Sequence, residues 1–228
     1  MTSELTRLLA DAARELEGEG GDPSGTMQRA VNLGVQLVRG AHEAGITVAR
    51  KNGRIETPAA TDELVVQVEA LQEAHQEGPC LDALRRQEVV RSGDIGRDER
   101  WPAWGPKIAS ETPIRSMLCL RLFTHEDVVG GLNLYSYEVD AFDDEDVEDA
   151  VLLAAQASVA IAASQEIAQL RVGMDGRTVI GQAQGILMER FGIDPTQAFA
   201  VLARVSQARN LKVRDVAEQL VVTRALPE

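Results

Sequence analysis

Cysteine is scarce in this chain, with Cys80 and Cys119 the two present among 228 residues. So few and so widely spaced, they give no pattern for a disulfide framework, a cysteine zinc site or a C-x-x-C redox motif. Each is expected as a small buried hydrophobe. Histidine is equally thin: His42, His75 and His125 stand at no metal-ligand spacing and are expected on the surface. No glycine-rich phosphate loop, nucleophile elbow or triad pattern occurs, so no catalytic residue and no metal ligand is assigned. The longest weakly polar run, Ala150 to Ala163, is shorter than the roughly 20 residues a bilayer needs. The opening Met-Thr-Ser-Glu has neither the basic region nor the apolar core of a signal peptide. The expectation is a cytoplasmic protein without a membrane partner or a cofactor.

What is abundant is negative charge, a formal −13, and it is unevenly spread. Residues 172–228 hold seven basic side chains, Arg177, Arg190, Arg204, Arg209, Lys212, Arg214 and Arg224, against six acidic ones. The remainder, with 16 basic and 30 acidic side chains, carries −14. An acidic body repels a polyanion at long range, so contact with nucleic acid is expected only through the C-terminal end.

Periodicity divides the chain into an N-terminal segment (1–24), a larger mixed domain (25–165), a helical linker (166–176) and a terminal helical domain (177–224). Leu5, Leu8, Leu9, Ala12, Ala13 and Leu16 predict a helix over 4–16, and the glycines from Gly18 to Gly25 a tether. A second helix is expected over Met27 to Arg39, with Thr26 as N-cap. From Gly45 the period becomes two, and Asn52-Gly53 between alternating runs predicts a hairpin. A helix over Asp62 to Ala74 and a short one opened by Pro79 follow, then strands over Val89 to Ile95, Met117 to Phe123 and Val128 to Tyr137. Leu118, Leu120 and Leu122 alternate with Cys119, Arg121 and Phe123, which predicts a sheet covered on one face and partly exposed on the other. Gly130-Gly131 signals a bulge or a close backbone approach.

A long helix is expected from the acidic run after Phe142 to about Leu170, its first-turn carboxylates favoured by the helix dipole. Val147, Val151, Ala154, Ser158, Ile161, Gln165 and Ala168 follow a four-three alternation, the spacing of a coiled-coil seam. The same face would serve equally to pack on the sheet of its own domain. Dimerisation is expected through Val151, Ala154, Ser158, Ile161, Gln165 and Ala168.

The stretch from Val172 to Gly176 is expected to separate that helix from three short amphipathic ones. Val179, Ile180, Ala183, Ile186, Leu187 and Phe191 mark the first stripe, which Gly192 ends. Asp194-Pro195-Thr-Gln197 opens the second helix, with Ala198, Phe199, Leu202 and Val205 inward. Val213, Val216, Ala217 and Leu220 mark a third, starting near Asn210 or Leu211. The polar residues left outside are Gln182, Gln184, Gly185, Arg190, Gln207, Arg209, Lys212 and Arg214, types suited to phosphate and base-edge contact, and equally to an ordinary solvated surface.

The string Ile180-Gly-Gln-Ala-Gln-Gly-Ile-Leu-Met-Glu-Arg-Phe-Gly-Ile193, with Gln197-Ala-Phe-Ala-Val-Leu, Ser206-Gln and Lys212-Val-Arg-Asp-Val-Ala-Glu-Gln-Leu-Val, closely resembles the ANTAR domain. That resemblance implies RNA binding and transcription antitermination by a dimer that grips paired hairpin loops. Gln184 departs from the lysine that many ANTAR sequences carry there. The larger domain resembles a GAF domain through Glu77-Gly-Pro-Cys-Leu-Asp-Ala-Leu, Arg100-Trp-Pro, Ile114-Arg-Ser-Met-Leu and Gly130-Gly-Leu-Asn-Leu-Tyr-Ser. GAF domains sense small molecules or redox state, and by this resemblance Trp101, Trp104, Cys119, Asn133 and Tyr135 border the cavity of an unidentified effector. Together the two imply a GAF and ANTAR regulator of the actinobacterial kind. Some GAF domains reduce free methionine sulfoxide with clustered cysteines, which two distant cysteines do not supply. The implied fold class is α+β: an antiparallel sheet flanked by helices, a long connecting helix, then an all-α three-helix domain. The rival readings are a helix-turn-helix DNA binder, since a glycine turn joins two helices at Gly192 to Asp194, and a protein-interaction adaptor with a degenerate sensor.

Overall fold

A computed structural model of the chain describes residues 14, 16, 21–49, 54–85, 89–124 and 128–226. The helix expected over 4–16, apart from Arg14 and Leu16, the Asn52-Gly53 turn and His125 lie outside these residues. The chain divides into two units, Met1–Glu166 and Ile167–Glu228.

The first unit runs α1 (Pro23–Leu37), β1 (Glu43–Ala49), β2 (Ile55–Ala60), α2 (Glu63–His75), α3 (Pro79–Arg85), β3 (Val89–Ser92), α4 (Trp104–Glu111), β4 (Ser116–Phe123) and β5 (Val128–Ser136), then enters α5 (Asp144–Phe191). The strands make one antiparallel sheet in the order β2-β1-β5-β4-β3. Register pairs Leu118 with Leu134 and Leu120 with Leu132, and between them Met117 with Tyr135 and Cys119 with Asn133. The two-residue period therefore sorts these side chains onto opposite faces. Leu118, Leu120, Leu122, Leu132 and Leu134 pack with α1 and with Leu153, Ala157 and Ile161 of α5. Met117, Cys119 and Tyr135 pack with Val65, Val68, Cys80, Trp104 and Ile108 from α2, α3 and α4.

The expectation of a half-exposed sheet thus holds only at the end of β4, where Arg121 is half-buried and Phe123 exposed. α4 supplies much of the second cover, and the mixed Trp/Pro composition around it gave no helical period. Its first turn is held by Glu77, whose carboxylate accepts from the Ala103 and Trp104 amides at 2.9 and 3.1 Å. α1 begins at Pro23 rather than Met27. Asp22 caps it by accepting from Gly25 N at 3.0 Å, while Thr26 lies one turn inside. A Cβ on Gly130 would fall 2.3 Å from the Thr47 carbonyl, so β1 and β5 approach too closely there for any other residue.

α5 is one helix of 48 residues, and the expected separation at Val172 to Gly176 does not occur. Neither Gly173 nor Gly176 takes a positive φ, and each is carried as a helical residue. The helix ends where expected, at Gly192, which has φ 63° and donates to Met188 O at 2.9 Å. By length and composition α5 is apolar enough to cross a membrane, which corrects the argument from the short alanine-rich run. Ala150, Leu153, Ala154, Ala157 and Ile161, however, spend that apolar character on the core of the first unit.

The second unit continues with α6 (Pro195–Arg209) and α7 (Val213–Thr223) around Ala183, Leu187, Ala198, Leu202, Val216, Ala217 and Leu220. Asp194 and Gln197 form the expected reciprocal capping box. α7 starts later than expected because Asn210 adopts a left-handed C-cap at φ 52° and Ser206 Oγ donates to Leu211 O at 2.5 Å. Phe191 and Phe199, expected inward, are exposed.

Candidate functional site

All five residues expected to border a cavity, Trp101, Trp104, Cys119, Asn133 and Tyr135, are fully buried on the α2-α3-α4 side of the sheet. They surround a carboxyl the sequence reading missed. Glu69 on α2 is 2% exposed and accepts from Asn133 Nδ2 at 2.8 Å, from Gln72 Nε2 at 3.1 Å and from the Tyr135 hydroxyl. Asn133 Nδ2 also donates to Thr47 Oγ1 at 2.6 Å, as does the Cys80 thiol at 3.4 Å, and Cys80 N donates to Gln72 Oε1 at 2.9 Å. Burial is the main cause that pushes the Glu69 carboxyl up to about 7, against the four hydrogen-bonding neighbours that favour its charged form. Burial, followed by Glu69, pushes the Cys80 thiol and the Tyr135 hydroxyl well up. The Cys119 thiol is raised by burial and then by Cys80. The two thiols and the Tyr135 hydroxyl are thus held neutral around Glu69, a hydrogen-bonded carboxyl raised to about 7.

Two atoms of this interior, Asn133 Oδ1 and Trp104 Nε1, have no partner among the described residues. Trp101 differs: its Nε1 donates to Asp82 at 2.9 Å, its ring meets Trp104 edge-on at 6.1 Å, and Arg100 lies over it at 4.3 Å. Among the described residues no cluster of His, Cys, Asp or Glu is suited to hold a metal.

On the second unit, Gln182, Gly185, Arg190, Gln207, Arg209 and Lys212 are exposed, while Gln184 and Arg214 are half-buried. Three of the eight are engaged within the chain. Gln184 Nε2 donates to Pro195 O at 2.9 Å, Arg190 Nη1 to Arg224 O at 3.0 Å, and Arg214 Nε to Glu218 at 2.7 Å. Gln207, Arg209 and Lys212 gather around the left-handed turn between α6 and α7. Gln182, Gly185 and Arg190 gather on α5 instead, where Ile186, Val221 and Arg224 join them in an open cleft of about 630 Å³.

Residues 20–162 match the model of the GAF domain family, well over half of the chain, and residues 168–221 match that of the ANTAR domain. This is a GAF–ANTAR regulator. ANTAR domains are RNA-binding antitermination modules and GAF domains are sensors, so the protein is of the RNA-binding, transcription-regulating kind. No curated protein matches the chain.

Solved structures similar to the GAF–ANTAR chain share its fold at low identity. The GAF domain from Acinetobacter phosphoenolpyruvate-protein phosphotransferase is 17% identical with a TM-score of 0.56, over 74% of this chain and 99% of that one. Bacteriophytochrome RpBphP3 from R. palustris is 13% identical with a TM-score of 0.61, over 91% of this chain and 47% of that one. Free methionine-R-sulfoxide reductase from Neisseria meningitidis is 16% identical with a TM-score of 0.50, over 73% and 91%. Such likeness is one of fold and carries no activity across.

The seam expected on the long helix is largely used within the GAF domain. Ala154, Ser158 and Ile161 are buried in its core, and Ser158 Oγ accepts from Phe123 N at 3.1 Å while donating to Ala154 O at 2.7 Å. Gln165 and Ala168 are half-buried and Val151 is exposed. The apolar residues turned outward are Leu152, Ala155, Val159 and Ala163, one helical row at intervals of three, four and four, with Leu170, Val172 and Met174 exposed further on. Beside the first of these lies an apolar cleft of about 310 Å³, lined by Val89, Leu120, Phe123, Val151, Ala155 and Val159.

Proposed function

We propose that this protein is a cytoplasmic, non-enzymatic, signal-responsive antitermination regulator of the actinobacterial kind. It acts as a homodimer whose ANTAR helices bind paired hairpin loops in nascent RNA and so keep a terminator from forming. The observation that carries the reading is the ANTAR match over residues 168–221, on a helical unit that leaves Gln182, Gly185, Gln207, Arg209 and Lys212 exposed. The GAF interior around Glu69, Asn133 and Tyr135 is the input, for a small-molecule effector. α5 belongs to both units and relays the signal as a change in helix pairing or register. Dimerisation is supported by the outward row Leu152, Ala155, Val159 and Ala163 and the apolar cleft beside it. Against catalysis, both cysteine thiols are buried and held protonated, whereas a nucleophilic cysteine needs an accessible thiolate.

The test is a titration of the full chain against a two-hairpin RNA, an unrelated single-stranded RNA and duplex DNA at several salt concentrations. The expected result is preference for the two-hairpin RNA, with affinity falling as salt rises. Preference for the duplex would establish the DNA-binding alternative, and binding to none of them the adaptor alternative.

A further inference from the structure

Gly185 sits in the interior of α5, where glycine is disfavoured because it loses more conformational freedom than any other residue. Some helical glycines are required by packing: a Cβ on Gly34 would lie 2.9 Å from Leu134. Gly185 has no such reason, since a Cβ built there meets nothing within 4 Å. Nothing among the described residues demands the missing side chain.

The space it leaves is part of the cleft between the C-terminal part of α5 and the end of α7. Ile186 and Val221, both half-buried against the ANTAR core, give this cleft an apolar floor. Its rim is polar, with Gln182, Glu189 and Arg190 exposed. The Arg190 guanidinium is held in place, donating at 3.0 Å to the carbonyl of Arg224, which caps α7 in a left-handed conformation at φ 61°. An apolar floor with mixed donors and acceptors on its rim suits a flat heteroaromatic ring better than a bare phosphate, which Glu189 would repel. Unpaired loop bases are the part of an RNA hairpin that can be turned out and read on face and edge together.

We propose that the Gly185 cleft is a base slot. One unpaired loop nucleobase lies over Ile186 and Val221 in the space left by Gly185, with Gln182 and Glu189 at its hydrogen-bonding edge and Arg190 toward its sugar and phosphate. This rests on the RNA-binding reading of the ANTAR helices and names the part of the RNA they hold.

The experiment uses the full chain, a two-hairpin RNA, and a set of the same RNA in which one loop nucleotide at a time is abasic. The wild-type protein is expected to lose about tenfold or more in affinity at one loop position of each hairpin, the scale of a single stacked base. Gly185→Leu fills the slot and is expected to bind the intact RNA about tenfold more weakly and to stop distinguishing it from that abasic RNA. Leucine is the better helix former, so its circular dichroism and melting temperature are expected to be kept. Gly185→Ala, which adds one methyl, and Gln182→Ala keep the test decisive should the leucine variant misfold, since each is expected to narrow the same discrimination. Unchanged affinity and an unchanged abasic profile in these variants would overturn the proposal. So would a Gly185→Leu protein that loses its dimer in sedimentation, since a second copy would then occupy the cleft. A wild-type protein that binds no hairpin RNA would instead defeat the broader reading, a visibly different result.

Discussion

Gln184 on α5 donates its side-chain amide to the carbonyl of Pro195, the first residue of α6, at 2.9 Å. The bond ties two of the three ANTAR helices together at the position where many ANTAR sequences have a lysine. Gln184→Ala is expected to lower the stability of the ANTAR unit by about 0.5–1 kcal/mol, the net worth of a partly exposed hydrogen bond. Gln184→Lys retains a donor and adds one positive charge. Its RNA affinity is expected to rise, and the slope of log affinity against log salt to steepen by roughly 0.7–0.9. Filter binding across a salt series checks this, and an unchanged slope would show that residue 184 lies away from the phosphates.

Glu69 predicts a pH dependence of opposite sign to that of an ordinary ion-paired carboxylate. Its pKa rises from 4.5 to about 7 on folding, because burial favours the neutral form. Below about pH 4.5 the carboxyl is protonated whether the chain is folded or not, and its contribution is fully present. That contribution is lost as pH rises through about 7, by an order-of-magnitude 3 kcal/mol at roughly 1.4 kcal/mol per unit. Glu69→Gln keeps a neutral side chain that accepts from Tyr135 and Asn133. Denaturant unfolding at pH 5 and pH 8.5 is expected to find the variant about as stable as wild type in acid and more stable in base. A constant difference across that range would show that Glu69 does not titrate there.

The legible and illegible parts of this chain divide on physical lines. The ANTAR helices could be read because Ala183, Leu187, Ala198, Leu202 and Val216 repeat at helical spacing and Asp194 and Gln197 mark a start. Glu69 was missed because α2 is rich in Glu and Gln, which suggests a solvated helix. The signal was present nonetheless: Val65, Val68, Glu69 and Gln72 fall at i, i+3, i+4 and i+7, so the two polar residues share the face that buries the valines. The use of the long helix's apolar face stayed open between sheet and partner for a related reason. α5 carries several apolar rows, and the sequence does not say that Ala154, Ser158 and Ile161 belong to the sheet while Leu152 and Val159 do not. The break at Val172 to Gly176 failed because glycine weakens a helix by only about 1 kcal/mol, and neither Gly173 nor Gly176 adopts the left-handed conformation that would end it.

That distinction on α5 gives a paired prediction. Val159 is 66% exposed, so Val159→Glu is expected to leave the melting temperature nearly unchanged and to weaken self-association by tenfold or more, on the order of 1.4 kcal/mol. Ile161 is fully buried in the GAF core, and Ile161→Ala is expected to cost about 2–5 kcal/mol of stability. Sedimentation and thermal melts on both variants separate the two effects. A Val159→Glu protein that associates as wild type would move the dimer contact off this row.

Trp101 and Trp104, three residues apart and both fully buried, are expected to respond differently to the same substitution. The Trp101 Nε1 donates to Asp82, so Trp101→Phe removes a bond to a carboxylate and leaves Asp82 without that partner, at a cost of about 1.5–3 kcal/mol. Trp104 Nε1 has no partner among the described residues, so Trp104→Phe removes a buried polar group along with ring volume. Relief of the unpaired donor offsets the smaller packing area, and the net change is expected to stay within about 1 kcal/mol. Denaturant unfolding followed by circular dichroism compares them without relying on tryptophan fluorescence. If Trp104→Phe proves as damaging as Trp101→Phe, a water or ligand atom satisfies Trp104 Nε1 in solution. The same variant should then also weaken the response to any effector bound beside Asn133.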